Sequence, residues 1–345
     1  MKSKHLVAIA FFSLLIGLPL GFFIKATAQK PQEQVPASDY TLSGPYTHGN
    51  LTVFLVHGKD LTSKTFLTLQ EALEQKKVRV YETKDVNELA IKNLSNEDIY
   101  VQAGDIVRGG EQDRMISVDF IVPPKSGRMP IAAFCVESGR WNKRGNEEAA
   151  SFGSSTNAVA MKDLKLAAKL ENSQQAVWKN VSVAQEKLSR SVGGNVQDGA
   201  SASSLELSVE NAKVKETTAD YIKALYGIAL SKRDVIGYVF AINGHINSAD
   251  VYASRALFVK LWPKLIKASA VEAVAELNKD VEVKPVASEM VETFMAESEK
   301  PQAAAKEVTK RVKVVTREDE NNVLFETQDR SQKDGWVHRN YIKKQ

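Results

Sequence analysis

The stretch Gly104–Trp141, GDIVRGGEQDRMISVDFIVPPKSGRMPIAAFCVESGRW, decides how this chain is read. Two apolar runs, Arg114–Val122 and Met129–Val136, flank Pro123-Pro124 and the turn residues Lys125-Ser126-Gly127. Strand–turn–strand is the economical reading, and a β-hairpin follows. With its loop centred between Lys125 and Ser126, Arg114 faces Glu137, Ile116 faces Cys135, Val118 faces Ala133 and Phe120 faces Ile131. Alternation puts these side chains on one face. A slip of one residue would turn the set to the other face. The hairpin brings the two ends of the stretch together, so Gln112, Asp113 and Arg114 are expected beside Glu137, Arg140 and Trp141. Gly109-Gly110 lets the backbone turn just before them.

Two arginines, two carboxylates and an indole suit a small anionic, planar or ribosyl ligand. Gln112, Arg114, Arg140 and Trp141 are the candidate ligand-binding residues. Glu137 and Asp113 are the candidate acid and base if the site is catalytic. The competing reading is an Arg114–Glu137 ion pair closing the end of the sheet, with Trp141 packed over it.

Outward from the stretch, residues 46–141 read as β-rich. Leu51–Val56, Val78–Glu82, Glu88–Lys92 and Asp105–Arg108 are expected strands, with a short helix at Thr68–Gln75. Residues 156–299 read as helix-rich. Val177, Val181, Ala184 and Leu188 form one stripe, and Thr217-x-x-Asp220 resembles a capping box. Val235–Ile242 is a strand within that region, followed by a turn at Asn243-Gly244-His245. A long helix is expected over Ala249–Leu277, capped by Asn247 and kinked or split at Pro263. Ala287–Glu299 is another amphipathic segment and Pro301–Lys306 a linker. Residues 309–345 return to β. The class is α+β: an antiparallel β-rich N-terminal half, a mainly helical C-terminal half and a terminal β segment. Residues 46–345 are taken as one domain.

The N-terminus reads as an export signal over residues 1–28. Lys2 and Lys4 precede an apolar run from Leu6 to Ile24, and Ala26-Thr27-Ala28 offers a cleavage site before Gln29. The alternative is a membrane anchor formed by residues 6–24, since about 20 apolar residues span a bilayer. Residues 29–45 are polar and Pro-containing, an expected flexible tether. The chain has 46 basic and 42 acidic residues, net +4. Lys2, Lys4 and Lys25 belong to the signal, so the mature charge is about +1, too small a field to imply nucleic acid or an anionic membrane. Membrane contact is expected only through an uncleaved signal, and a protein partner stays open.

Cys135 is the single cysteine, so no internal disulfide is expected. Its apolar setting suggests a buried structural thiol. His48, His57, His245 and His338 show no metal-ligand spacing, and no metal or cofactor is expected. His245, with Asn243 ahead of the expected helix, offers an anion site or simply a capped turn. No P-loop, G-x-G-x-x-G, G-x-S-x-G or EF-hand pattern is present.

The run G-D-x-V-x-G-G-x-Q-D-R, the V-P-P that closes the strand and C-V-E-x-G-R-W resemble the ARG and rhodanese-phosphatase-superfamily-associated protein domain family. ARG stands there for ADP-ribosylglycohydrolase. The resemblance extends from Tyr46 to the C-terminus, with Gln175–Trp178 and Gly237–Asp250 also similar. It implies no established activity. By association it implies a role near NAD or ADP-ribose chemistry, although an exported member would not meet the cytosolic NAD pool. The function classes carried forward are therefore an exported ligand-binding or accessory module, a hydrolase of phosphate- or ribosyl-containing substrates, and an extracytoplasmic scaffold. Gly335–Ile342 also resembles the last strands of bacterial Src-homology-3-like domains, though packing of Trp336, Val337, Tyr341 and Ile342 explains it as well.

Overall fold

A continuous run of buried residues, Leu51–Val56, sits near the middle of the larger of two main sheets. A computed structural model describes residues 40–278, 283–332 and 335–344. The expected signal at 1–28 and most of the expected tether lie outside these residues. Strand β1 (Thr41–His48) begins inside the expected tether, so residues 41–45 belong to a strand, with 41–43 paired to β2, and are not linker. Among the described residues no helix is long and apolar enough to cross a membrane.

The large sheet has eight strands, all antiparallel, in the order β1, β2 (Leu51–His57), β12 (Val235–Ile242), β13 (His245–Tyr252), β17 (Trp336–Lys343), β16 (Asn322–Asp329), β15 (Val312–Glu318) and β14 (Ala303–Glu307). Alternation along β2 sends Leu51, Val53 and Leu55 into one core and Phe54 and Val56 into another. The first core contains residues of α2 (Lys162–Lys169), α3 (Gln174–Ser191), α4 (Leu205–Glu210), α5 (Ala212–Leu225), α6 (Gly227–Leu230) and α7 (Arg255–Ala275). The second contains Val291, Phe294 and Met295 of α8 (Ser288–Glu299). Burial on both faces explains why β2 and β12 are apolar at nearly every position.

The second sheet has six strands: β11 (Phe152–Val159), β7 (Asp105–Gly109), β8 (Arg114–Ile116), β10 (Met129–Cys135), β5 (Glu88–Asn93) and β4 (Val78–Asp85). A three-stranded group, β3 (Leu67–Thr68), β6 (Ile99–Val101) and β9 (Phe120–Val122), shares its core with α1 (Leu69–Glu74). Thr68 caps α1 in a full capping box with Glu71.

The α+β class holds, but the expected layout holds only in part. Strand β12 is the strand expected at Val235–Ile242, but β13 adds a second one inside the region expected to be helix-rich, and β11 runs into its start. The hairpin is also different. β8 and β10 pair as Cys135↔Arg114, Phe134↔Met115 and Ala133↔Ile116, two residues from the expected register. An even slip keeps each side chain on its face, but Arg114 meets Cys135 rather than Glu137. The expected strand Arg114–Val122 is two strands. Between them, Asp119 accepts the Ala103 N–H (2.7 Å) and the Thr327 hydroxyl (2.7 Å), and its carboxylate is 2.7 Å from His338 Nδ1. β9 pairs with β6, while Met129–Ala132 pair with β5.

The expected helix over 249–277 begins later. Ala249–Tyr252 belong to β13, and α7 starts at Arg255 with Ser254 as its cap. Pro263 lies inside α7 without splitting it. Thr217 and Asp220 lie within α5, whose cap is Asn211, so they are not a capping box. Most of the expected linker Pro301–Lys306 belongs instead to edge strand β14, Ala303–Glu307.

Candidate functional site

The residues singled out around the hairpin fall into two groups on opposite faces. Gly109 and Gly110 both have positive φ, +120° and +57°. A Cβ on Gly110 would come within 2.4 Å of the Phe152 ring, so the turn into the cluster requires glycine. Asp113 follows, fully buried. Its Oδ1 accepts the Gly109 N–H (3.1 Å), and Arg144 grips both oxygens, at 3.0 and 3.2 Å. Ser204 donates to Oδ2 at 3.2 Å. The Asp113 N–H donates to Glu137 Oε2 at 3.0 Å. Arg140 Nη2 pairs with that same oxygen at 2.6 Å, and Arg144 lies 3.4 Å from Glu137 Oε1. Glu147 ties Arg144 (2.8 Å) to Arg108 (2.7 Å), and Arg108 reaches Glu210 at 3.1 Å.

The two carboxylates are pushed in opposite directions. Burial, reinforced by the negative charge of Glu137, raises Asp113 above the usual carboxyl range. Burial also acts to raise Glu137, but hydrogen bonds from Arg140, Ser201 and the Asp113 amide outweigh it and hold Glu137 low. Such a split is the electrostatic arrangement that acid–base chemistry uses.

Arg114 is not part of this network. It points to the opposite face, where Nη2 meets Glu82 at 3.2 Å and Nη1 donates to the Val86 carbonyl at 2.6 Å. The expected Arg114–Glu137 pair is replaced by Arg114–Glu82 and by Arg140 and Arg144 on Glu137. Gln112 is fully buried, and neither end of its carboxamide has a partner among the described residues. Trp141 is 49% exposed, so it does not cover the ion cluster. Cys135 is buried and its thiol is pushed up to about 11, chiefly by burial, which makes it a structural thiol.

Arg144, Glu147 and Ser204 were not identified from sequence. Arg144 carried one available signal, since it sits just past the motif at four residues from Arg140. Ser204 and Glu82 carried none, being distant in the chain.

A second buried polar group also escaped sequence reading. His338, on β17, lies between Asp119 (Nδ1, 2.7 Å) and Asp250 (Nε2, 2.9 Å). Tyr252 stacks on its ring at a centroid distance of 4.5 Å. Burial alone would lower the His338 pKa, but Asp119 and Asp250 outweigh it and raise it, so the imidazolium is favoured. Lys169 is half-buried over the Phe325 ring at 3.8 Å, and burial brings its ammonium down to about 8.

His245 opens β13 and does not precede a helix, so the expected helix N-terminal anion site is absent there. Its turn borders concavities of about 450 and 330 Å³, the smaller lined by Lys162, Lys187, Asn247, Glu272 and Glu276. Among the described residues no three His, Cys, Asp or Glu side chains are placed so as to hold a metal ion together.

A family model for the ARG and Rhodanese-Phosphatase-superfamily-associated Protein domain matches residues 39–342. No curated protein and no solved structure matches the chain. The chain belongs to the ARG and Rhodanese-Phosphatase-superfamily-associated Protein domain family.

Proposed function

We propose that this family member is an exported ligand-binding or accessory module, with its site where Gln112 and Trp141 meet the Asp113–Glu137 ion cluster. One observation carries the reading: a fully buried carboxamide with both ends unpartnered among the described residues, next to carboxylates that Arg140 and Arg144 hold. An unmade hydrogen bond at a buried amide costs about 1–3 kcal/mol, and a ligand hydroxyl or ring nitrogen would recover it. The exposed Trp141 supplies an aromatic face beside Arg140.

The network also narrows the ligand. Arg140 and Arg144 are already neutralised by Asp113, Glu137 and Glu147, so a multiply charged anion would have to break buried pairs. A ribosyl or other polyhydroxylated group with a planar ring fits better than a bare phosphate. Export is supported by the sequence pattern of residues 1–28.

Isothermal titration of the protein with adenosine, ADP-ribose and inorganic phosphate tests this. Adenosine should bind, ADP-ribose with its charged diphosphate should bind more weakly, phosphate should not bind, and Trp141→Ala and Gln112→Leu should abolish the heat while the thermal midpoint stays. Binding that survives both substitutions removes the site.

The opposed shifts of Asp113 and Glu137 favour a second reading, a hydrolase of ribosyl-containing substrates with Asp113 as acid and Glu137 as base. Turnover on a nucleoside and sugar-phosphate panel that is unaffected by Glu137→Gln would eliminate it.

A further inference from the structure

His57 ends β2, and both nitrogens of its ring are engaged. Ser43 Oγ lies 2.7 Å from Nε2, and Asp234 Oδ1 lies 2.9 Å from Nδ1. The order is hydroxyl, imidazole, carboxylate. A carboxylate accepts and cannot donate, so it keeps the proton of a neutral ring on Nδ1 and leaves Nε2 free to accept from the serine. Both distances lie within the range of an activated nucleophile whose base is oriented by a third group. The His57 hydrogen bond also holds the Asp234 carboxyl below its usual range.

The backbone around Ser43 departs from a plain strand at the same place. Register passes from Ser43↔Leu55 to Tyr46↔Val53, so Gly44 and Pro45 together oppose Phe54 in a bulge. Gly44 has φ +127°, and a Cβ there would come within 2.9 Å of the Val53 carbonyl oxygen. Bulges re-aim the side chains beside them. Ser43 is half-buried, so a reactant can reach it. β1 is the outermost strand of its sheet, and an edge strand turns alternate N–H groups away from its partner. Those are donors of the type that stabilises an oxyanion.

We propose that Ser43, His57 and Asp234 form a nucleophilic site for carboxylic esters. Ser43 Oγ attacks the ester carbonyl carbon while His57 Nε2 takes the hydroxyl proton. The tetrahedral oxyanion collapses, the C–O bond to the alcohol breaks, and the leaving oxygen takes the proton from Nε2. The acyl group now sits on Ser43. Water then repeats the sequence, giving a carboxylic acid, with Ser43 restored. Ser43 is the catalytic nucleophile and His57 the base. Asp234 acts only through His57 and is a positioning residue. The site lies on the eight-stranded sheet and does not depend on the hairpin cluster.

The test uses the full chain. A fluorophosphonate probe should form one covalent adduct, mapped to Ser43 by mass spectrometry, and p-nitrophenyl acetate should be turned over. Ser43→Ala should remove the adduct and lower turnover by about 100-fold or more. Asp234 is 66% exposed, so Asp234→Asn should leave the thermal midpoint unchanged. It should still lower the rate by about 100-fold or more and alter its pH profile, which the loss of a merely structural hydrogen bond would not do. Absence of an adduct in the unsubstituted protein overturns the proposal. So does turnover that persists in Ser43→Ala, or a rate and pH profile indifferent to Asp234→Asn.

Discussion

The two sheets bury charge in different ways. At the hairpin of the six-stranded sheet, Asp113 and Glu137 are held by guanidinium groups, Arg140 and Arg144. In the eight-stranded sheet, Asp119 and Asp250 are held by one imidazole, His338. Guanidinium groups stay charged at any pH a protein survives, so the first arrangement is insensitive to alkali. The second depends on the proton of His338, which Asp119 and Asp250 make harder to remove than that of a free imidazole. Similar burial therefore gives one region a fixed clamp and the other a titratable one.

The largest effect expected from breaking this contrast is at the fixed clamp. Arg144→Ala leaves Asp113 and Glu137 buried with half their compensation gone, and should cost about 3–5 kcal/mol by urea unfolding. Its cost should change little between pH 6 and 9.

His338→Asn should cost about 3 kcal/mol near pH 6. The His338 pKa is raised in the folded state, so its contribution is complete below the unfolded value and fades as pH rises through the folded one. The unsubstituted protein should therefore lose stability on the alkaline side, and the variant should lack that limb. Asp119 and Asp250 are depressed, partly by His338 itself, so in the unsubstituted protein their contribution fades as pH falls. Stability curves of the two proteins that run parallel from pH 6 to 9 would show that His338 is not the titrating group.

Cys135 sharpens the contrast by belonging to neither network. Cys135→Ala should cost about 1 kcal/mol. Maleimide should label the thiol only at the rate of global unfolding. The smallest effect is at Trp141, where Trp141→Ala should change stability by less than about 0.5 kcal/mol while removing ligand binding.

The elements most legible in sequence were those whose burial has a simple period. β2 and β12 are nearly continuous apolar runs, and Val177, Val181, Ala184 and Leu188 form the buried stripe of α3. β14 was not legible because all five residues are exposed on an edge strand, and without a buried face no alternation is written. The join of β13 to α7 was misplaced because the apolar pattern continues from the strand's Val251 and Tyr252 into the ridge Leu257, Leu261 and Leu265 with a break of only two residues.

At the candidate site, Asp113, Glu137 and Arg140 were brought together as their hairpin spacing requires. Arg114 was assigned to the wrong partner because register depends on what lies outside the hairpin. Glu82 on β4 attracts its guanidinium, and Asp119 is committed to His338 some two hundred residues away. Long-range ionic partners leave no mark on local periodicity.

Strand β17 lies between β13 and β16, though it is the last strand along the described chain. Until residues 336–343 are in place, the eight-stranded sheet is two pieces of four and three strands, each with an open edge. β13 must wait more than eighty residues for its neighbour, a costly loop to close. Closure of the sheet therefore follows synthesis of the described chain instead of keeping pace with it. β17 acts as a late-arriving wedge, and a chain interrupted before it would expose two ready templates for aggregation.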